Sequence, residues 1–138
     1  MNNQLLHTLN NTCINFNPLK LYNENNNIIY DGTLRLDCRQ KFITLPFKIN
    51  IIYGSLLCSN NKLADFTNFP DIVYGNLDVS NSDINSLLTL NTIVYGKLNL
   101  SHSNICYIGN NITYNKIKRP VEILQNEKYD FILGEFQW

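Results

Sequence analysis

The side chains able to do covalent or acid–base chemistry are few in this 138-residue chain, and they are scattered. The two histidines, His7 and His102, have no serine or cysteine at a recognisable nucleophile motif, so spacing reveals no catalytic dyad or triad. Cys13, Cys38, Cys58 and Cys106 lie 25, 20 and 48 residues apart, which is neither the paired spacing of a zinc site nor a dense disulfide framework. They are expected to be reduced, with Cys58 serving as a small apolar side chain in the core. Asp78 and Asp83 are close in sequence, but their ordinary use is as solvated carboxylates on a strand face. The expectation is a protein that is not an enzyme, with no catalytic residues, no metal site and no cofactor.

Lys and Arg number 11 and Asp and Glu 11, so no overall field draws the chain onto a polyanion or an anionic membrane. Any partner must be recognised locally. One basic cluster, Lys116, Lys118 and Arg119 beside Tyr114, has the composition of a phosphate-contacting patch. Glu122, Glu127, Asp130 and Glu135 follow it and would repel a polyanion, which makes a solvated face the preferred reading and nucleic acid the minor one. No stretch approaches the roughly 18 apolar residues of a membrane span. Met1 to His7 have no basic leader and no apolar run of secretory length, so a soluble cytoplasmic protein is expected, in the host cytoplasm if the chain is viral. The glycosylation-type matches at Asn10, Asn99 and Asn111 follow from the abundance of Asn. Asn, Ile, Tyr and Lys are frequent while Arg and Ala are scarce, the bias of AT-rich bacterial, phage or large-virus genomes.

The elements that must position these residues follow from a repeat. Ile51-Ile52-Tyr53-Gly54, Ile72-Val73-Tyr74-Gly75 and Ile93-Val94-Tyr95-Gly96 recur every 21 residues. A period in this range marks a solenoid, in which each unit buries its apolar face only by stacking on its neighbours. Each copy continues as an alternation: Tyr53-x-x-Leu56-x-Cys58-x-x-Asn61-x-Leu63, then Tyr74-x-x-Leu77-x-Val79-x-x-Ser82-x-Ile84, then Tyr95-x-x-Leu98-x-Leu100-x-x-Ser103-x-Ile105. Leu56, Leu77 and Leu98 should therefore form one buried column. An earlier, imperfect copy begins at Ile28-Ile29-Tyr30-Asp31-Gly32 and is one residue longer before Leu34-Arg35-Leu36. The glycines at 54, 75 and 96 occupy one corner, where stacked coils need either a left-handed backbone or close approach. They do not cluster at a helix start as a phosphate-cradling loop requires.

This spacing resembles the conserved half of leucine-rich repeats of the short bacterial or viral type, over roughly residues 28 to 114. The resemblance implies a β-rich solenoid of about three to four coils with a parallel sheet, an apolar-x-apolar core strand and an Asn satisfying backbone groups of the next turn. Phe66, Phe69-Pro70, Leu87, Leu90 and Ile108 fall where such repeats carry a return segment. Ser82 and Ser103 depart from the pattern at the Asn61 position. A hydroxyl is shorter than an amide and has fewer donors, so a looser inner ladder is expected there.

One domain is expected over residues 1–138, with an N-terminal cap at 1–27, repeats at 28–114 and a C-terminal cap or contact segment at 115–138. Leu5, Leu6, Leu9, Ile14, Phe16, Leu19, Leu21 and Tyr22 supply apolar material for the first cap, and residues 23–27 read as a polar connector. The register fails after Tyr114, where the stack is expected to stop, and residues 121–133 read as either a helix or a hairpin. The alternate strand positions project outward as polar rows: Ser55, Asn76 and Lys97; Arg35, Leu57, Asp78 and Asn99; Asn60, Asn81 and His102. Together with Phe136 and Trp138 they are the candidate partner-binding residues, the last two for a partner or for self-association. The expected function is protein binding, in particular a phage or viral inhibitor that occludes a host defence complex such as a CRISPR nuclease. The alternatives are a virion or assembly component and a nucleic-acid-contacting accessory protein.

Overall fold

Each repeat holds two short apolar pairs separated by Tyr-Gly-x, and each pair forms a strand. The computed structural model describes residues 3–103 and the pair Val121–Glu122. A helix, α1 (Asn3–Thr12), is followed by a single 3-10 turn at Pro18–Lys20, and the rest is strand and turn. The strands are β1 (Leu21–Glu24), β2 (Asn27–Tyr30), β3 (Leu34–Arg35), β4 (Ile51–Ile52), β5 (Leu56–Leu57), β6 (Ile72–Val73), β7 (Leu77–Asp78), β8 (Ile93–Val94), β9 (Leu98–Asn99) and β10 (Val121–Glu122).

They assemble as a β-solenoid with two parallel sheets. The first sheet runs β1-β2-β4-β6-β8 and the second β3-β5-β7-β9-β10. All pairings are parallel except β1 with β2. Leu34, Leu56, Leu77 and Leu98 stack in register and are fully buried, which confirms the column read from the repeat. Tyr30, Ile52, Val73 and Val94 form the matching inward column of the first sheet, and all are essentially inaccessible. Fully burying each such side chain contributes about 1.5–3 kcal/mol before chain entropy is set against it. The return segments close the third side with Leu63, Phe66, Phe69, Ile84, Leu87 and Leu90, all buried. Phe66 and Phe69 meet edge to face with ring centroids 5.1 Å apart.

The corner between the sheets explains the recurring glycine. The glycines at 54, 75 and 96 keep φ outside the left-handed region, so close approach is the reason for them. A Cβ on Gly75 would stand 2.7 Å from the Gly54 carbonyl carbon and oxygen and 2.5 Å from Ser55 Oγ. Beside this contact, Gly54 N–H donates to Gly32 O, Gly75 to Gly54 and Gly96 to Gly75, at 2.8 to 3.0 Å. The left-handed backbone occurs instead at the far end of the second sheet, at Lys41, Asn60, Asn81 and His102, with φ of 53°, 62°, 52° and 56°.

Four details differ from the sequence reading. Tyr30 pairs with Ile52 and not with Tyr53, so the extra residue of the first coil sits after Tyr30 and Asp31 takes the tyrosine position. Tyr30 is consequently core; its hydroxyl accepts the Asn17 N–H at 3.0 Å and its ring lies 5.7 Å from that of Phe16. The connector expected at residues 23–27 is the tight turn of a β1–β2 hairpin, with Asn25 and Asn26 both at positive φ as a twist-matched two-residue turn demands. At the other end the stack does not stop after Tyr114: Val121 pairs with Leu98 in parallel, 23 residues on, so a two-residue longer coil hid the continuation. Val121–Glu122 is therefore strand, and the rest of 121–133 lies outside the described residues. Finally, Ile14 and Leu19 are exposed at 57% and 93% and cover nothing, whereas Leu9, Cys13 and Leu21 do.

The N-terminal segment closes the free edge of β3. Ile14 N–H donates to Arg35 O at 3.0 Å, and Cys13 bridges Leu36 in antiparallel fashion. Asn15 completes the seal with its side-chain amide, which donates from Nδ2 to Thr33 O and accepts at Oδ1 from Arg35 N–H, both at 2.8 Å. A primary amide carries the same donor and acceptor pair as a peptide group, and so it can substitute for a missing strand.

Candidate interaction surfaces

The rows chosen from sequence lie where the repeat placed them, but most of their side chains serve the backbone. Arg35, Leu57, Asp78 and Asn99 are registered across the outer face of the second sheet. Asp78 Oδ1 accepts from both the N–H and the hydroxyl of Ser80, at 2.9 and 2.7 Å, and Asn99 Oδ1 accepts from Ser101 N–H at 2.9 Å. These bonds close the strand ends as Asx-type turns. Asn76 belongs to a corner ladder that joins the coils. Thr33 Oγ1 accepts from Ser55 N–H at 3.0 Å, Ser55 Oγ from Asn76 N–H at 2.8 Å, and Asn76 Oδ1 from Lys97 N–H at 2.9 Å. Asn60, Asn81 and His102 are exposed at the left-handed turn, a conformation that Asn tolerates better than most residues. Arg35 is exposed, and its guanidinium makes no ion pair or hydrogen bond among the described residues. Phe136, Trp138 and the Lys116, Lys118 and Arg119 cluster lie outside the described residues.

The inner turn behaves as the Asn-to-Ser departure suggested. Asn61, 3% exposed, accepts the Phe42 N–H of the preceding coil at 3.0 Å and points its amide toward Cys58 O and Ser59 O. The Ser82 hydroxyl reaches only to Ile84 N–H within its own coil, at 3.4 Å. Among the described residues every buried side-chain nitrogen and oxygen has a partner.

A second surface was not singled out from sequence. In β4, β6 and β8 the inward Ile52, Val73 and Val94 alternate with Ile51, Ile72 and Ile93, which are only half buried and lie outside the core cluster. Side chains two apart share a face of a strand, so Tyr53, Tyr74 and Tyr95 emerge on the same outer side as these isoleucines. The three rings stack along the solenoid with centroids 5.1 and 5.0 Å apart and planes 14° and 6° from parallel, each 42–45% exposed. Tyr22 of β1 stands opposite Ile29, itself registered with Ile51, and extends the apolar face. Its phenol titrates above the ordinary value, through desolvation first and then through the Tyr53 phenol and the Asp31 and Glu24 carboxylates, which places these groups around it. The outer face of the first sheet is thus an aliphatic row beside an aromatic row. The signal was present in Ile-Ile-Tyr itself, because two adjacent apolar residues followed by an aromatic make both faces of a strand apolar.

Comparison of the chain with protein-family models, with curated proteins and with solved structures gives no match.

The reactive groups can be placed as well. Cys13 and Cys58 are buried; desolvation raises the Cys13 thiol to about 11 against a lowering contact from Thr12, and raises Cys58 well above its ordinary value. Both remain protonated at neutral pH, where the thiolate would be the nucleophile. Cys38 is exposed. His7 sits on α1 within 3.0 Å of the Asn11 amide, and His102 at its turn on the second sheet. Among the described residues no three His, Cys, Asp or Glu side chains converge, and no helix is long and apolar enough to cross a membrane. Arg39 donates a two-point pair to Asp37, Nε to Oδ1 at 2.9 Å and Nη2 to Oδ2 at 3.0 Å. The Arg39 side-chain bonds first, and its backbone N–H second, hold the Asp37 carboxyl far below the ordinary carboxylate range.

Proposed function

We propose that this chain is a non-enzymatic protein-binding module whose contact surface is the outer face of the first sheet. The observation that carries the reading is the exposed ladder Tyr53-Tyr74-Tyr95 beside Ile51, Ile72 and Ile93. Core packing accounts for Ile52, Val73 and Val94 but does not require large apolar groups on the opposite side of the same strands. Tyrosine gives rigid, amphipathic contact area at small rotamer cost, and stacking has already restricted these rings. Water-exposed apolar rows of this kind mark interaction sites. In its finer form the module occludes a partner, as a phage or viral inhibitor of a host defence complex such as a CRISPR nuclease would. Support for that form is the composition, rich in Asn, Ile, Tyr and Lys.

The test uses a partner captured from lysate and then reconstituted from purified components. Tyr74→Ser should weaken its binding at least about tenfold, as loss of an aromatic hot spot does. Arg35→Ala on the second sheet should leave binding unchanged. The reverse pattern would move the contact to the polar rows, and indifference to both changes would discard the sheet faces altogether.

A further inference from the structure

The apolar face of the first sheet has a polarity along the solenoid axis. At the hairpin end Glu24 and Asp31 adjoin Tyr22 closely enough to raise its phenol, and Lys20, packed near Gly32, offsets only one of the two carboxylates. At the other end of the tyrosine row stands the exposed Lys97. Between them the row is nearly symmetric about its middle ring, since Tyr53 and Tyr95 lie 5.1 and 5.0 Å on either side of Tyr74.

From these relationships we infer that the face pairs with a second copy of this chain, two-fold and with the solenoid axes antiparallel. This rests on the reading that the first-sheet face is an interface, and it names the occupant. A two-fold axis along the strand direction at Tyr74 lays Tyr74 on the partner's Tyr74 and Tyr53 on the partner's Tyr95. It also lays isoleucine row on isoleucine row. The same rotation brings the acidic Glu24 and Asp31 end onto the partner's Lys97. The other two-fold arrangement, with the axis along the solenoid, sets the acidic ends against each other, so charge selects between the two.

The size of the face sets the strength. Five strands at about 4.8 Å each make a face about 24 Å long and only a few residues wide, well short of a standard interface of about 800 Å² per partner. The pairing is therefore weak and concentration dependent.

Sedimentation of the purified chain from about 10 μM to 1 mM should show a reversible monomer–dimer equilibrium in the range of small interfaces. Tyr74→Arg should weaken it at least about tenfold. Lys97→Glu should weaken it too, and the double variant Lys97→Glu/Asp31→Lys should restore it, because the swapped charges face one another again across the two-fold. Circular dichroism of each variant reports that the solenoid is intact. A monomer throughout the range, or a dimer indifferent to both Tyr74→Arg and the charge swap, overturns the inference. A monomer that still captures a foreign protein through Tyr74 removes self-pairing alone, whereas capture indifferent to Tyr74 removes the underlying reading of the face.

Discussion

The ring of Tyr74 lies 5.0 Å from that of Tyr95, with the two planes 6° from parallel. That separation is close to the spacing of about 4.8 Å between hydrogen-bonded strands. The rings therefore stack because their strands do, at positions fixed by the Gly75 and Gly96 corner that follows each. An aromatic row made in this way is rigid before any partner arrives, and little further ordering is needed on docking.

The core column should be sensitive to a single truncation. Leu77 is fully buried between Leu56 and Leu98. Leu77→Ala is expected to cost about 2–5 kcal/mol, because the cavity opens between two coils whose backbones are tied by hydrogen bonds on both sides. Thermal melts measure it, and a shift of only a degree or two would contradict the observed register.

The corner gives a sharper contrast. An added methyl at Gly75 meets backbone atoms 2.7 Å away, and the coils must part to admit it. At Gly32 the nearest atoms are 3.2 Å away, and one of them, Lys20 Cδ, belongs to a flexible side chain. Gly75→Ala should therefore destabilise by about 1–3 kcal/mol or more, as overpacking does, while Gly32→Ala should be much milder. Equal melting temperatures for the two variants would refute the close-approach explanation.

Much of this architecture was legible in the sequence, and what was missed has physical causes. The 21-residue period fixes which Leu faces inward, because only one column of each coil can be buried between neighbours. Reading Tyr30 as the first rung of the tyrosine row failed because the extra residue sits after it, a one-place slip that turns a side chain from the outer face to the core. Val121 was missed because its coil is two residues longer, which a fixed period cannot show. The outer apolar face was hidden for another reason: the Ile-Ile-Tyr triplet served as a marker of the repeat, and its meaning depends on the first sheet existing at all. The polar rows were visible, but not that Asp78, Asn99 and Asn76 spend their acceptors on neighbouring backbone N–H groups.

Those bonds bear on how the polar rows respond to mutation. Asp78→Ala removes the acceptor for the Ser80 N–H and hydroxyl and is expected to cost about 0.5–1.5 kcal/mol, more than an ordinary surface change. His102 holds a left-handed backbone with φ of 56°, a conformation that penalises a Cβ by about 1–2 kcal/mol, so His102→Gly should raise the melting temperature. Melts of the two variants moving in the same direction would contradict this account.

Acid should act through Asp37. A carboxyl whose folded pKa is lowered stabilises the fold at every pH above its unfolded value, about 3.9, and that stabilisation is lost as pH falls below it toward the folded pKa. The cause is the Arg39 pair, led by its side-chain hydrogen bonds. Asp37→Asn should therefore flatten the fall in denaturant midpoint below about pH 4 relative to the parent chain. An unchanged acid limb would show that the pair does not set it.

Asn15 gives the solenoid a direction for growth. With its amide seated on Thr33 O and Arg35 N–H, the outward edge of β3 offers no bare peptide groups there to template a foreign strand, and end-on addition at that pole is shut off. A chain cleaved just after Asn15 would recover that template. It should then polymerise head to tail, seen as rising light scattering at concentrations where the intact chain stays clear.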